Sequence, residues 1–290
     1  MNHLWSTRIQ RTSTLYESRS LRFHDLFREQ YINAFAIPDR ASVLEIGCGP
    51  GALAEALARW YPLAAVTGVD RDTNFVSFAA ARAPRIRYLE GDATALPFSD
   101  GSFDVTISNT VQEHISPDGF YGEQRRILKP DGVCLVLSAR RGYHIPAPCV
   151  AEETPLEREV YEAVAPYGAE DLKTYGVGAY ATDERGIPAA MEQYGFRNVS
   201  TAFLTVNLTP DNPIFDPKTA HAIINANRRT SLDYIDCIPV IAPGVIPADT
   251  LAELRGVIHA KYDERIRLYD RGIKQWDCNV SVTMVTRGIK

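Results

Sequence analysis

One short run constrains this chain more than any other: Val43-Leu44-Glu45-Ile46 followed at once by Gly47-Cys48-Gly49-Pro50-Gly51. An apolar strand that feeds directly into alternating glycines makes a sharp turn. Glycine reaches backbone angles closed to residues with a Cβ, and it lets a ligand approach the main chain. Ala52, Leu53, Ala56, Leu57 and Trp60 then recur at near-helical spacing, so the turn leads into a helix. A strand, a glycine turn and a helix in that order point to a bound adenosine-bearing molecule.

The flanking sequence repeats the same alternation. Ala65 to Val69 reads as a strand closed by Asp70, 73 to 82 as a helix, Ile86 to Leu89 as a third strand and Phe103 to Ser108 as a fourth. A helix over 118 to 128 and a fifth strand, Val133 to Leu137, follow, the strand entered through the turn Lys129-Pro130-Asp131-Gly132. Strands separated by helices imply right-handed βαβ units, hence a doubly wound α/β fold with a mostly parallel sheet. Before it, Leu15, Leu21, Phe23, Leu26, Phe27, Tyr31 and Phe35 predict an N-terminal helical cap over residues 1–37.

After Leu137 the alternation lapses into a Pro-, Gly- and Tyr-rich stretch, Tyr143-His144-Ile145-Pro146-Ala147-Pro148. Helical patterns at 154 to 165 and 183 to 194 lead to a sixth strand, Val199 to Val206. Two more helices, 217 to 235 and 248 to 271, precede a last strand, Cys278 to Thr286. Within a domain of 38–290, two insertions at about 140–195 and 208–277 are therefore expected. The first leaves the carboxyl ends of the strands, where ligands bind in such sheets, so these helices are expected to form a lid, with Tyr143, Tyr167, Tyr175, Tyr180 and Phe215 as candidates to line it and buried packing as the alternative role of each.

The bulk properties narrow the partners. A net charge of -5 supplies no basic footprint for a nucleic-acid backbone. The five cysteines, Cys48, Cys134, Cys149, Cys237 and Cys278, show no metal-ligand spacing and read as free thiols. No apolar run approaches the roughly 20 residues that span a bilayer, and the polar start lacks a secretory pattern. A cytoplasmic protein, monomer or homodimer, with a small-molecule partner and no metal is expected.

The glycine turn also satisfies a relaxed dinucleotide pattern, and an acidic residue such as Asp70 suits a ribose in either kind of cofactor. The third strand separates the two. Tyr88-Leu89-Glu90-Gly91-Asp92-Ala93 is followed by Leu96-Pro97-Phe98 and then by Gly101-Ser102-Phe103-Asp104. Over residues 38 to 138 this order resembles the class I S-adenosylmethionine-dependent methyltransferases. The resemblance implies a Rossmann-like, seven-stranded sheet with an antiparallel last strand, and the cofactor S-adenosyl-L-methionine, left as S-adenosyl-L-homocysteine.

Carried over by that resemblance, Gly47, Cys48, Gly49 and Gly51 flank the methionine part of the cofactor, and Glu45 lies near its ammonium. Asp70 holds the ribose, Arg71 flanks the adenine, Asp92 accepts from the adenine amino group with Ala93 beside it, and Asn109 lies near the methionine portion. Methyl transfer from a sulfonium is an in-line displacement, so positioning dominates. If the acceptor is a hydroxyl, His114 is the candidate general base; its alternative is a capping or packing role. His144 is a second candidate, against a solvated loop. The segment Asn109-Thr110-Val111-Gln112 lacks the Asn/Asp-Pro-Pro-aromatic run of nucleic-acid amino-methyltransferases. Methylation of a small molecule in secondary or specialised metabolism is the expectation. A protein or RNA substrate, a NAD-dependent oxidoreductase and a silent cofactor binder are the alternatives.

Overall fold

The computed structural model describes residues 5–145 and 150–290, without the side chains of residues 8, 140–145 and 171. Tyr143 and His144 thus lie outside the described side chains, and Pro146, Pro148 and Cys149 outside the described residues. The chain forms two compact units, one of residues 1–141, 177–206 and 281–290, the other of 142–176 and 207–280.

In the first unit, three helices, α1 (Trp5–Arg8), α2 (Thr12–Arg22) and α3 (Arg28–Phe35), precede a seven-stranded sheet. Its elements are β1 (Ser42–Ile46), α4 (Ala52–Trp60), β2 (Ala65–Asp70), α5 (Thr73–Arg82), β3 (Arg87–Glu90), β4 (Phe103–Asn109), α6 (Pro117–Ile127), and β5 (Leu128–Ile145). β5 runs on into the second unit, which holds α7 (Pro155–Thr174). The first unit resumes with α8 (Gly186–Gln193) and β6 (Arg197–Asn207). The second contributes α9 (Pro217–Ile241) and α10 (Ala248–Asp270) before β7 (Cys278–Ile289) returns to the sheet.

The strand order is β3-β2-β1-β4-β5-β7-β6. β3, β2, β1, β4 and β5 run parallel, with Val43 opposite Val66 on one side and Val105 on the other. β7 runs against both neighbours, since Lys290 at its end donates to Gly132 near the start of β5 and Asn279 at its start accepts from Leu208 just past β6. The expected Rossmann-like sheet with an antiparallel last strand is therefore present.

Alternation along β1 divides the core. Leu44 and Ile46 join Phe120, Tyr121 and Ile127 of α6 and Ile187 and Met191 of α8 in one apolar cluster. Val43 and Glu45 point to the opposite face, where the Ala54 amide of α4 donates to Glu45. The helix α5 starts where Asp72, fully buried, accepts from the Asn74 and Phe75 amides. Asp104, from the Phe-Asp motif, stands at the amino ends of the strands. It accepts from the Ser42 amide at 2.8 Å and from Lys129 at 2.9 Å. Burial raises its pKa, but those bonds prevail and hold it down at about 2. Its role is to staple β1 to β4.

Two expectations need correction. The turn at Lys129 to Gly132 is a bulge within β5: Phe103 pairs with Leu128 and Val105 with Val133, and Asp131 takes φ 59. Helices expected to stop near 165 and 235 continue through Pro166 and Pro239. Proline removes one helix bond, but Val160, Val164, Ile235 and Ile238 bury their faces together with Leu254 and Ile258 of α10, and that packing carries the helices past it. Among the described residues no helix is long and apolar enough to cross a membrane.

Candidate functional site

A cavity of about 610 Å³ opens at the carboxyl ends of β1, β2, β3 and β4. It sits where the strand order reverses between β1 and β4, the crevice in which open α/β sheets bind ligands. Its volume suits a ligand of drug-like size. Glu45, Gly47, Cys48, Gly49, Asp70, Arg71, Asp92, Ala93, Asn109 and His114 all line it. Gly51 does not; it packs behind the wall, where a Cβ would stand 2.7 Å from the Tyr88 hydroxyl and 2.9 Å from Ala79.

Gly49 holds a left-handed φ of 51 and donates its amide to Asp70 Oδ2 at 2.8 Å. Asp70 Oδ1 accepts from the Asp72 amide at 2.9 Å. Both oxygens of Asp70 thus brace the loops, and each keeps a lone pair free for a further donor. Burial raises the Asp70 pKa, against these amide bonds that lower it. Asp92 is exposed, and Thr94 donates to its Oδ1 through both amide and hydroxyl at 2.7 Å. Those bonds lower its pKa, so it presents a carboxylate. Arg71, also exposed, adds its positive charge.

Glu45 is the least settled group. It is 2% exposed, and its Oε2 has no hydrogen-bond partner. Burial drives its pKa well above the usual carboxylate range, opposed by the Ala54 amide. A buried carboxyl with an orphan oxygen at the wall of a cavity calls for a donor or cation. Cys48 is buried, and burial raises its thiol pKa well above the ordinary value, so it stays a neutral thiol.

His114 lies in a short 3-10 turn, Gln112–His114, after β4. Its Nδ1 accepts from the Gly178 amide at 2.9 Å, and its ring stands 4.8 Å from that of Trp5. Burial lowers its pKa, and Arg71 adds to the effect. The hydrogen bond assigns the neutral tautomer with the proton on Nε2, so the ring offers a donor there. Service as a base requires the Gly178 bond to open first.

Residues outside the motifs complete the wall: Trp5, Gln10, Leu15, Arg19 and Phe23 from the N-terminal segment, Thr110 after β4, and Tyr180. Leu15, Arg19 and Phe23 are spaced by four along one helical stripe. A charged residue on an otherwise apolar stripe is the signal that could have found Arg19. Tyr180, expected to line a lid, is on this wall, and its amide donates to Glu113 O at 2.9 Å. Thr110, a β-branched residue at φ 55, is a strained position on the rim, of the kind that clusters at functional sites. Of the other residues expected to line a lid, Tyr167 is exposed and Phe215 is buried in the second unit.

The match to known proteins falls on the same residues. A family model described as a methyltransferase domain matches residues 44–136. A fatty-acid O-methyltransferase of Mycolicibacterium smegmatis is 39% identical over 108 residues, which is 36% of this chain and 39% of that protein. A demethylmenaquinone methyltransferase of Thermus thermophilus is 38% identical over 100 residues, 33% of this chain and 46% of that one. The chain therefore spans less than half the length of these curated relatives. A solved structure of Haemonchus contortus phosphoethanolamine N-methyltransferase 2, in complex with S-adenosyl-L-methionine, shares the fold with a TM-score of 0.53 at 18% identity. It covers 99% of this chain and 59% of that one. The glycine turn and the acidic strand ends Asp70 and Asp92 all fall within residues 44–136, the segment that is similar to a methyltransferase domain.

Proposed function

We propose that the protein transfers a methyl group from S-adenosyl-L-methionine to a small-molecule acceptor. The observation that carries this reading is the orphan oxygen of Glu45, set in a cavity that also presents Asp70 and Asp92 from the ends of neighbouring strands. The cofactor offers an ammonium, a ribose diol and an exocyclic amine, and these three carboxylates supply an acceptor for each. When bound, it supplies an electrophilic methyl on a sulfonium. Glu45 holds the ammonium, Asp70 the ribose, Asp92 the adenine amine, and Gly47 and Gly49 admit the methionine part to the main chain. Asn109 and Ala93 complete the contact.

The remaining work is orientation and water exclusion. His114 Nε2–H is available to hold an acceptor oxygen, whereas proton abstraction by this ring waits on release of Gly178. Relatives named for a fatty acid and a demethylmenaquinone support an acceptor of small-molecule size. The finer reading, an acceptor of secondary or specialised metabolism, draws support from the helices α7, α9 and α10, which lie outside the matched domain. Calorimetric titration with S-adenosyl-L-homocysteine and with NAD tests the cofactor: binding of the first alone is expected. Labelled S-adenosyl-L-methionine incubated with a metabolite extract tests transfer, and label retained only on the cofactor would sink it.

A further inference from the structure

The cavity contains one cation for which the motifs give no account. Arg19 lies on α2, largely buried, with its side chain on the cavity wall between Leu15 and Phe23. Among the described residues its guanidinium makes one hydrogen bond, a long one of 3.4 Å from Nη2 to Thr110 Oγ1. Five donors in a fixed fork are thereby left with almost nothing to bind. The carboxylate whose charge reaches it is Glu113, yet no ion pair forms between them, and Glu113 Oε2 is itself buried without a partner. Burial and the neighbouring Arg22 lower the Arg19 pKa to about 10, which still leaves it charged at neutral pH.

A desolvated guanidinium without a counter-ion costs free energy that a matching anion would return. The fork geometry of Arg suits a planar, two-oxygen anion above other shapes. Thr110, at φ 55, holds the hydroxyl that keeps Arg19 in place, and this Oγ1 also donates to Asn109 O at 2.7 Å. The strained turn after β4 and the helix α2 therefore aim one charged group at the ligand space. We propose that Arg19 is the carboxylate receptor of this cavity, a positively charged clamp in a cavity that also presents the carboxylates of the strand ends. The inference rests on the methyl-transfer reading, under which carboxylates come from two sources: the amino-acid end of the cofactor, or an acidic acceptor.

Calorimetry on the wild-type protein, Arg19→Gln and Arg19→Lys, with three probes, separates the cases. The probes are S-adenosyl-L-homocysteine, its decarboxylated analogue and dodecanoate. If the cofactor's carboxylate is the ligand, Arg19→Gln weakens S-adenosyl-L-homocysteine binding by about tenfold to a hundredfold. The decarboxylated analogue then binds variant and wild type alike, which also shows that the variant is folded, and Arg19→Lys recovers part of the loss. If an acceptor's carboxylate is the ligand, the loss appears with dodecanoate and not with S-adenosyl-L-homocysteine. Equal affinities of wild type and Arg19→Gln for both carboxylate probes overturn the proposal. A wild-type protein that binds no S-adenosyl-L-homocysteine overturns the methyl-transfer reading instead, and the dodecanoate comparison then decides Arg19 by itself.

Discussion

Two buried arginines, one in each compact unit, are held in different ways. In the second unit Arg265, 1% exposed, donates from Nη2 to Asp211 at 2.8 Å and from Nε to Asp277 at 3.1 Å. Asp211 also accepts from the Gln275 and Trp276 amides, and the nearly buried Lys261 pairs with Glu157 at 2.7 Å. In the first unit, among the described residues, Glu45 keeps an orphan oxygen and Arg19 a guanidinium with one long hydrogen bond. Buried charge that is paired, as Arg265 is through Nε and Nη2 though not Nη1, holds loops and helices together. Buried charge left half-paired at a cavity is held ready for something that arrives.

The largest effect should come from breaking the paired side. Arg265→Ala strands two aspartates in the interior, and chemical denaturation should show a loss of about 3 to 5 kcal/mol. Cofactor affinity should not move; a parallel loss of binding would erase the distinction drawn between the units. On the half-paired side, Asp70→Ala removes a proposed ribose acceptor together with the brace on Gly49, and cofactor binding should weaken by about 1 to 3 kcal/mol. Unchanged affinity by calorimetry would count against the assignment.

A smaller effect, with a sign that sharpens the comparison, belongs to Glu45. Burial raises its pKa in the free protein, and an arriving ammonium favours the ionised form. Binding then releases a proton, and affinity should rise with pH until the free-state carboxyl has titrated. Glu45→Gln should bind about tenfold more weakly, flatten that slope and leave stability unharmed, because a neutral amide costs less to bury. A slope that survives in Glu45→Gln would assign the proton elsewhere. Least of all is expected from His114→Ala: less than about tenfold in rate, since its Nδ1 is engaged by Gly178. A loss above about a thousandfold with binding intact would establish it as the general base.

The half of the molecule that pairs strand with helix was readable because each element announces itself locally. Parallel strands buried on both faces are continuous apolar runs, and α5, expected at 73 to 82, is Thr73–Arg82. The glycine turn marked the cavity, and nine of the ten residues expected to meet a cofactor line it. What escaped was set by contacts between distant parts of the chain. Nothing near Tyr180 says that its amide will reach Glu113, and nothing around Pro166 says that tertiary packing will override a helix breaker. Arg19 lay between these cases, visible as a misplaced charge on an apolar stripe but without a local sign of its ligand.

The place of β7 in the sheet has a consequence for synthesis. β6 lies at the edge of the sheet, beside β7, whose residues begin at Cys278. On the ribosome, β1 to β5 can associate as they emerge. β6 must wait, edge bare, while residues 208 to 277 are added. During that interval the nascent chain carries an unpaired strand open to foreign pairing, and closure of the sheet waits on the arrival of β7.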